Sequence, residues 1–250
     1  MKLLATLRRM PKRFLAIGLF SLLALSIPAT AFAASPTTTP KCSASDTQCW
    51  ISLGDQLIAA RQTALTDLGN KVTDRLNDKL ITSDQANALQ SDISTNASGL
   101  SALQTKLNAE TNAAAARQDV ANIFLQFRIY AVVLPRDYRR LYLDIAVNVD
   151  GKLRGLSEEL KEAIQGAPQS EQGQLNALYN DYLAQLSTAE GQFDTAQSAF
   201  PALTPENFNY NRSGYEASLK SVTTALETIH AALKQAGKDA HQIAQILKGK

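Results

Sequence analysis

The stretch that decides the fold is residues 215–247, YEASLKSVTTALETIHAALKQAGKDAHQIAQIL, near the end of the 250-residue chain. Its apolar residues alternate at spacings of four and three, and no charged residue falls on that stripe. Residues 175–200 repeat the same alternation. A seven-residue apolar repeat is typical of long helices that pack nearly parallel to one another. The sequence therefore predicts an all-α protein, an elongated antiparallel helical bundle with coiled-coil-like packing.

Working back from this stretch, periodic apolar residues predict further helices over about 45–80, 83–109, 112–126 and 138–165. Thr82 and Gln85 form a capping-box pattern, which predicts a turn and the start of a new helix. Asp137 is the expected N-cap of the helix over 138–165, and Thr204 with Pro205 predicts a short helix before the last one.

One segment interrupts the helical pattern. Residues 127–135, FRIYAVVLP, combine β-branched and aromatic residues and end at a proline. Proline disfavours the α conformation in the residue before it, here Leu134. The sequence predicts a short extended segment near 128–134.

The N-terminus has the pattern of a secretory signal peptide. Residues 1–13 hold five basic and no acidic residues, an apolar run follows, and residues 31–33 (AFA) suit cleavage after Ala33. The alternative is an uncleaved signal that anchors the chain, because residues 14–34 are long enough to cross a bilayer. We expect residues 1–33 to be the signal, 34–44 a Pro/Thr-rich linker, and 45–250 a single elongated domain that is exported to the periplasm, cell wall or medium.

The charge balance depends on that signal. Without residues 1–33, 20 basic residues face 23 acidic ones, a net charge of −3. Such a chain lacks the broad positive field that drives nucleic-acid binding. The sequence predicts no nucleic-acid partner, and no membrane span after cleavage.

Cys42 and Cys49 are the two cysteines of the chain. In an exported protein such a pair usually forms a disulfide, and free thiols are the alternative. Residues seven apart in one helix lie about 10.5 Å apart along its axis, too far to be bridged. Cys42 must therefore lie in a turn folded back onto the first helix if the bridge forms.

One region has the composition of a binding surface. Five aromatic residues fall within residues 124–142 and are interleaved with arginines. Arginine forks bind phosphate or carboxylate groups, and aromatic rings stack on sugars or other rings. The alternative is a structural elbow, in which the rings fill the gap left by a broken helix and the arginine stems cover them. The candidate binding residues are Arg128, Tyr130, Arg136, Tyr138, Arg139 and Arg140.

Two strings resemble a known group of proteins. Residues 127–135 (FRIYAVVLP) and 203–211 (LTPENFNYN), followed by an alanine-rich last helix, are similar to a family of exported, all-helical bacterial proteins without an assigned function. The resemblance implies the fold and the compartment. It supplies no catalytic residues to carry over.

No catalytic or metal site is predicted. Glu227 and His230 have the Glu-x-x-His spacing of di-iron bundles, but those sites need a second such motif, and the heptad register places Glu227 outside the core. We expect no cofactor and no enzymatic activity. The sequence favours an interaction or structural protein of the cell envelope, with an anionic envelope polymer or another envelope protein as its partner. The alternative is a ligand-binding or chaperone-like module with a groove at the aromatic and arginine-rich segment.

Overall fold

The computed structural model of the chain describes residues 42–249. The predicted signal peptide, its cleavage site and the linker up to residue 41 lie outside the described residues. Within 42–249 the protein is an all-α bundle without β-strands, as predicted. The helices are α1 (Thr47–Asn77), α2 (Ser83–Asn108), α3 (Ala113–Asn122), α4 (Leu134–Arg154), α5 (Ser157–Gln165), α6 (Gln169–Ala199), α7 (Pro205–Tyr210) and α8 (Arg212–Leu247).

The two stripes that predicted the bundle are buried. On α8, from Val222 to Ile243, the heptad positions are buried. The other stripe runs along α6 from Leu175 to Phe200, the residue just after the helix, and Tyr179 is its one half-buried member. The capping box is also confirmed, because the Thr82 hydroxyl accepts from the Gln85 backbone and the Gln85 side chain accepts from the Thr82 N–H.

The described residues fall into two compact units. The first unit comprises residues 42–145 and 196–223, and the second comprises 146–195 and 224–249. In the first unit α1 packs against α2 and α3, and α7 packs against the segment that follows α3. In the second unit the Tyr182 hydroxyl donates to the Leu153 carbonyl, and Arg154 donates to the Leu186 carbonyl 2.7 Å away. These bonds tie the end of α4 to α6.

The prediction of an extended segment near 128–134 is wrong. Two π-helical turns, Ile123–Phe127 and Ile129–Val133, flank Arg128, whose backbone is left-handed with φ +47°. The Arg128 carbonyl accepts from Ala131, Val132 and Val133, so the chain stays coiled. Ile129, Val132 and Val133 are buried, and this burial outweighs the β-propensity of branched residues, which depends on the surroundings.

The start of the next helix also differs from the prediction. Leu134 has α-helical backbone angles, φ −59° and ψ −49°, and begins α4. Pro135 is tolerated there because the first turn of a helix leaves backbone N–H groups without partners anyway. Asp137 is therefore not an N-cap. It lies inside the first turn of α4 with its side chain buried.

The helix predicted over 138–165 is divided in two. A turn at Gly155 and Leu156 separates α4 from α5. The Gly155 N–H still donates to the Gly151 carbonyl, whereas the Leu156 N–H donates to the nearer Leu153 carbonyl. The short helix predicted at Thr204 and Pro205 is confirmed as α7, whose Asn207 N–H donates to the Thr204 hydroxyl.

Candidate functional site

The aromatic and arginine-rich segment lies within the first unit. We call the region around it the elbow. It comprises residues 123–140 and the side chains of α1, α7 and α8 that touch them. The two π turns and the left-handed Arg128 give it an irregular backbone. Irregular helical turns of this kind are frequent at functional sites.

Arg128 links the elbow to α7. Its Nε donates to Asn209 Oδ1 at 2.9 Å, and its guanidinium lies 4.7 Å from the centre of the Phe208 ring. The Asn209 amide also donates to the Leu125 carbonyl at 2.6 Å. One asparagine thus holds both the side chain of Arg128 and a backbone carbonyl of the first π turn.

The Phe208 ring is shared by two arginines. Arg212, at the start of α8, lies 3.9 Å from the same ring centre and donates to Glu216. Phe208 packs edge-on against Tyr215 with ring centres 5.1 Å apart. Each guanidinium over a ring contributes a cation–π attraction of about 0.5–2 kcal/mol.

Tyr130 and Phe124 hold a third arginine between them. The Arg61 guanidinium, from α1, lies 4.7 Å from the Phe124 ring centre and 5.1 Å from that of Tyr130. Arg61 is 5% exposed, and its Nη1 donates to the Leu57 carbonyl of its own helix. The Tyr130 hydroxyl donates to the Ala60 carbonyl at 3.0 Å. Arg61 is therefore a buried cation between two rings.

Arg136 is held by carboxylates. Its Nε lies 2.7 Å from Asp137 Oδ1 and its Nη2 lies 3.2 Å from Asp92 Oδ2. Asp137 is 1% exposed, and burial raises its pKa to about 6, a rise that the hydrogen bond from Arg136 opposes. This arginine compensates a buried negative charge.

The other predicted residues lie on the first turns of α4. Arg139 Nη1 donates to the Pro135 carbonyl at 2.9 Å, and Arg140 is exposed. Tyr138 is half-buried, and burial together with the charge of Asp67 raises the pKa of its hydroxyl.

The arginines of the elbow differ in their counter-charges. Arg136 and Arg212 form ion pairs with carboxylates. Among residues 42–249, no carboxylate forms an ion pair with Arg61, Arg128, Arg139 or Arg140. The elbow therefore carries positive charges that the described part of the chain does not neutralise by direct contact.

Several residues of the elbow were not predicted from the sequence. Arg61 could have been found, because it lies three residues after Ile58 and four before Leu65, on the apolar stripe of α1. A charged residue on such a stripe must be buried with some partner. Phe208, Asn209 and Arg212 gave no comparable signal, since they lie on α7 and at the start of α8, some 80 residues away along the chain.

The cysteine pair and the Glu-x-x-His motif singled out in the sequence lie outside the elbow. The predicted disulfide between Cys42 and Cys49 is present, with Cα atoms 5.6 Å apart and Cys42 in the turn before α1. Glu227, from the Glu-x-x-His motif, is exposed, and His230 is half-buried.

Within residues 42–249, no three side chains of His, Cys, Asp or Glu come together as a metal site would require. Nor does any helix in that range combine the length and apolar character needed to cross a bilayer.

None of the family models, curated proteins or solved structures compared with this chain matches it. The resemblance to exported helical proteins therefore stays a prediction.

Proposed function

We propose that the chain is an exported, non-catalytic interaction protein of the cell envelope that binds an anionic envelope polymer through its elbow. The observation that carries this proposal is that Arg128, Arg139 and Arg140 form no direct ion pair with a carboxylate of residues 42–249, although the charge of Arg140 acts on Asp137 and Asp144 without direct contact. Charge complementarity favours an anionic partner on such a surface, and it accelerates the encounter as well as orienting the complex.

Exposed groups on α4 and α7 support the same proposal. Arg140 has no hydrogen bond within the described residues, and Tyr210, at the end of α7, is 85% exposed. An exposed tyrosine offers a ring face to a sugar and a hydroxyl to a polar group. A polymer with sugar units and negative charges fits both features.

Export is supported by the N-terminal pattern and by the disulfide. Disulfides persist in oxidising compartments outside the cytoplasm and are rare inside it. The Cys42–Cys49 bridge is therefore compatible with the predicted signal peptide. Intact-mass measurement of the exported protein tests cleavage after Ala33, and a membrane-bound product that retains residues 1–33 argues for an anchor instead.

The test of polymer binding is the double variant Arg139→Gln/Arg140→Gln. Arg136 is left unchanged, because its loss leaves the buried Asp137 without a partner. The matched control is Lys71→Gln/Lys234→Gln, which removes the same charge from two other exposed positions. We expect co-sedimentation with an anionic cell-wall fraction to fall severalfold for the arginine variant and to stay unchanged for the control variant. Binding of the wild type should weaken as the salt concentration rises from about 0.05 to 0.3 M. Equal binding by wild type and arginine variant contradicts the proposal.

A second candidate function is a ligand-binding or chaperone-like module at the same elbow. It is favoured by two adjacent apolar side chains, Phe124 and Leu125, which are 42% and 44% exposed. Exposed apolar groups next to one another mark interaction sites more often than isolated ones do. Binding of an apolar ligand that is unaffected by Arg139→Gln/Arg140→Gln distinguishes this candidate from the first.

A further inference from the structure

Arg61 is a buried cation of the elbow that forms no ion pair with any residue of the described range 42–249. Its side chain is buried, and its Nε is shielded from solvent without a hydrogen-bond partner. Residues 1–41, outside the described range, contain no Asp or Glu. Neither the described residues nor the side chains of residues 1–41 thus supply a carboxylate to pair with Arg61.

Burying an unpaired guanidinium is costly. Transfer of a charge out of water is unfavourable, even after the surroundings relax. The cation–π contacts with the rings of Phe124 and Tyr130 offset part of that cost. Consistent with this, burial lowers the pKa of Arg61, and only the nearby Tyr130 opposes the change.

The unused donors of Arg61 lie on one edge. Nη1 is occupied by the Leu57 carbonyl, whereas Nε and Nη2 have no hydrogen bond within the described residues. Nε and Nη2 form one side of the planar guanidinium. Two parallel N–H groups on one edge match the two oxygens of a carboxylate.

The ring that lies over the Arg61 guanidinium is apolar and partly exposed. Phe124 lies over the guanidinium yet is 42% exposed, and Leu125 beside it in the chain is 44% exposed. Rotamer changes of interface side chains on binding are common, so the Phe124 ring can turn aside for a ligand. A ligand with an apolar chain can then lie against Phe124 and Leu125.

We propose that Arg61, Phe124 and Tyr130 form a site for an amphiphilic carboxylate, with the carboxylate on the Nε–Nη2 edge and the apolar chain against Phe124 and Leu125. This inference rests on the ligand-binding candidate function and is independent of polymer binding. It uses none of the residues changed in the co-sedimentation experiment.

The experiment titrates the full-length protein with decanoate, with decanol and with acetate at pH 7. The ¹H–¹⁵N resonance of Arg61 Nε reports the anion directly, because the N–H gains a partner. We expect this resonance to shift with decanoate and not with decanol, and acetate to bind more weakly than decanoate. Decyl phosphate is titrated as a fourth ligand. If it binds more tightly than decanoate, the assignment of the site to a carboxylate is overturned.

The variant Arg61→Met removes the charge and keeps an unbranched apolar side chain. We expect decanoate binding to weaken about 10- to 100-fold, the factor expected for charge-assisted hydrogen bonds. The melting temperature should stay equal or rise, since an apolar replacement of a buried charge is often neutral or stabilising. Arg61→Lys retains the charge without the two-donor edge, so it should bind more weakly than wild type even if Arg61→Met does not fold. The control is Arg117→Met, which removes an exposed arginine stacked 6.0 Å from the Trp50 ring.

The results distinguish a failure of the ligand-binding function from a failure of the role proposed for Arg61. If neither decanoate nor decanol binds, the ligand-binding function itself is wrong. If decanol binds as tightly as decanoate, or if Arg61→Met binds decanoate like the wild type, the elbow takes apolar ligands and the role of Arg61 is overturned.

Discussion

Arg136 and Arg61 of the elbow show how differently the same type of side chain can be stabilised. Arg136 donates to two carboxylates, one of them the buried Asp137. Arg61 has two aromatic rings and a backbone carbonyl instead. Removal of the first leaves a buried anion unpaired, whereas removal of the second relieves a buried cation. The two substitutions should therefore change stability in opposite directions.

The first prediction concerns Arg136. We expect Arg136→Gln to lower the free energy of unfolding by about 3 kcal/mol at pH 7.5, because Asp137 then remains buried without its ion pair. The loss should shrink at pH 5, where Asp137 carries a proton and needs no counter-charge. Urea unfolding at the two pH values measures this.

Lys71→Gln is the control for that prediction. Lys71 is exposed on α1 and forms no ion pair within the described residues, so its substitution should change stability by less than about 0.5 kcal/mol. Equal losses for the two variants would show that Arg136 does not compensate Asp137.

At the scale of the element, the N-terminus of α1 is fastened by more than its helical hydrogen bonds. The Cys42–Cys49 disulfide joins the preceding turn to the first turn of the helix. The Asp46 carboxylate accepts from the Cys49 N–H, and the Trp50 indole donates to the Ser43 carbonyl at 3.0 Å. The helix therefore begins with a cap, a covalent bridge and a side-chain contact together.

The second prediction is the effect of opening this bridge. Replacing both cysteines by serine should lower the free energy of unfolding by about 2–3 kcal/mol, because a short loop removes little entropy from the unfolded chain. Trp50 is the one tryptophan of the chain, so its fluorescence should also shift to longer wavelength as the turn loosens. A variant with unchanged stability and unchanged emission contradicts the role of the bridge. Thiol titration of the unreduced exported protein should find no free thiol.

The third prediction concerns the close packing of α1. A Cβ on Gly54 would overlap Leu107 Cδ2 and lie 3.1 Å from Val120 Cγ2. Gly54→Ala should therefore lower the free energy of unfolding by about 1–3 kcal/mol, the usual cost of overpacking. Thermal unfolding followed by circular dichroism measures the change.

Gly191→Ala provides the matched control. Gly191 lies within α6 and has no atom within 4 Å of the added Cβ. Its substitution should raise stability by up to about 1 kcal/mol through helix propensity alone. A gain at both positions would mean that α1 has room to accept the methyl group.

At the scale of the whole molecule, buried aspartates set the expected response to pH. Burial raises the pKa of Asp137, Asp144 and Asp239 to about 6, against an unfolded value of 3.8. Arg136 and Arg140 oppose the rise at the first two, and the charge of Asp181 adds to it at Asp239. Since the native state binds these protons more tightly than the unfolded state, their stabilising contribution is complete below about pH 4 and is lost as the pH rises through 6.

The fourth prediction follows from the upward direction of these pKa shifts. The free energy of unfolding should fall from pH 5 to pH 7.5, by about 1 kcal/mol for each of these groups. Asp239→Asn should reduce the slope, because an asparagine oxygen can still accept from Gln235 but does not titrate. The control Asp74→Asn removes an exposed carboxylate of α1. A stability that rises with pH over this range contradicts the prediction.

Much of the fold could be predicted from local patterns. The stripes of α6 and α8, the capping box at Thr82 and the short helix at Pro205 all stand in the structure where the sequence indicated. The disulfide was predicted together with its turn. The path from Arg128 to Leu134 was predicted wrongly, because β-branched residues there are coiled into a π turn by burial in the core.

The sequence by itself determined the helices, because helical hydrogen bonds join residues four apart and the apolar stripe is visible in the same few turns. It also determined which segment concentrates arginines and rings. Only the tertiary structure decided which group each charge contacts. Arg128 contacts Asn209, 81 residues away, and Arg136 contacts Asp92, 44 residues away. Arg61 contacts two rings and, among residues 42–249, pairs with no carboxylate. Electrostatic partners depend on distance in space and on burial, which no local pattern records.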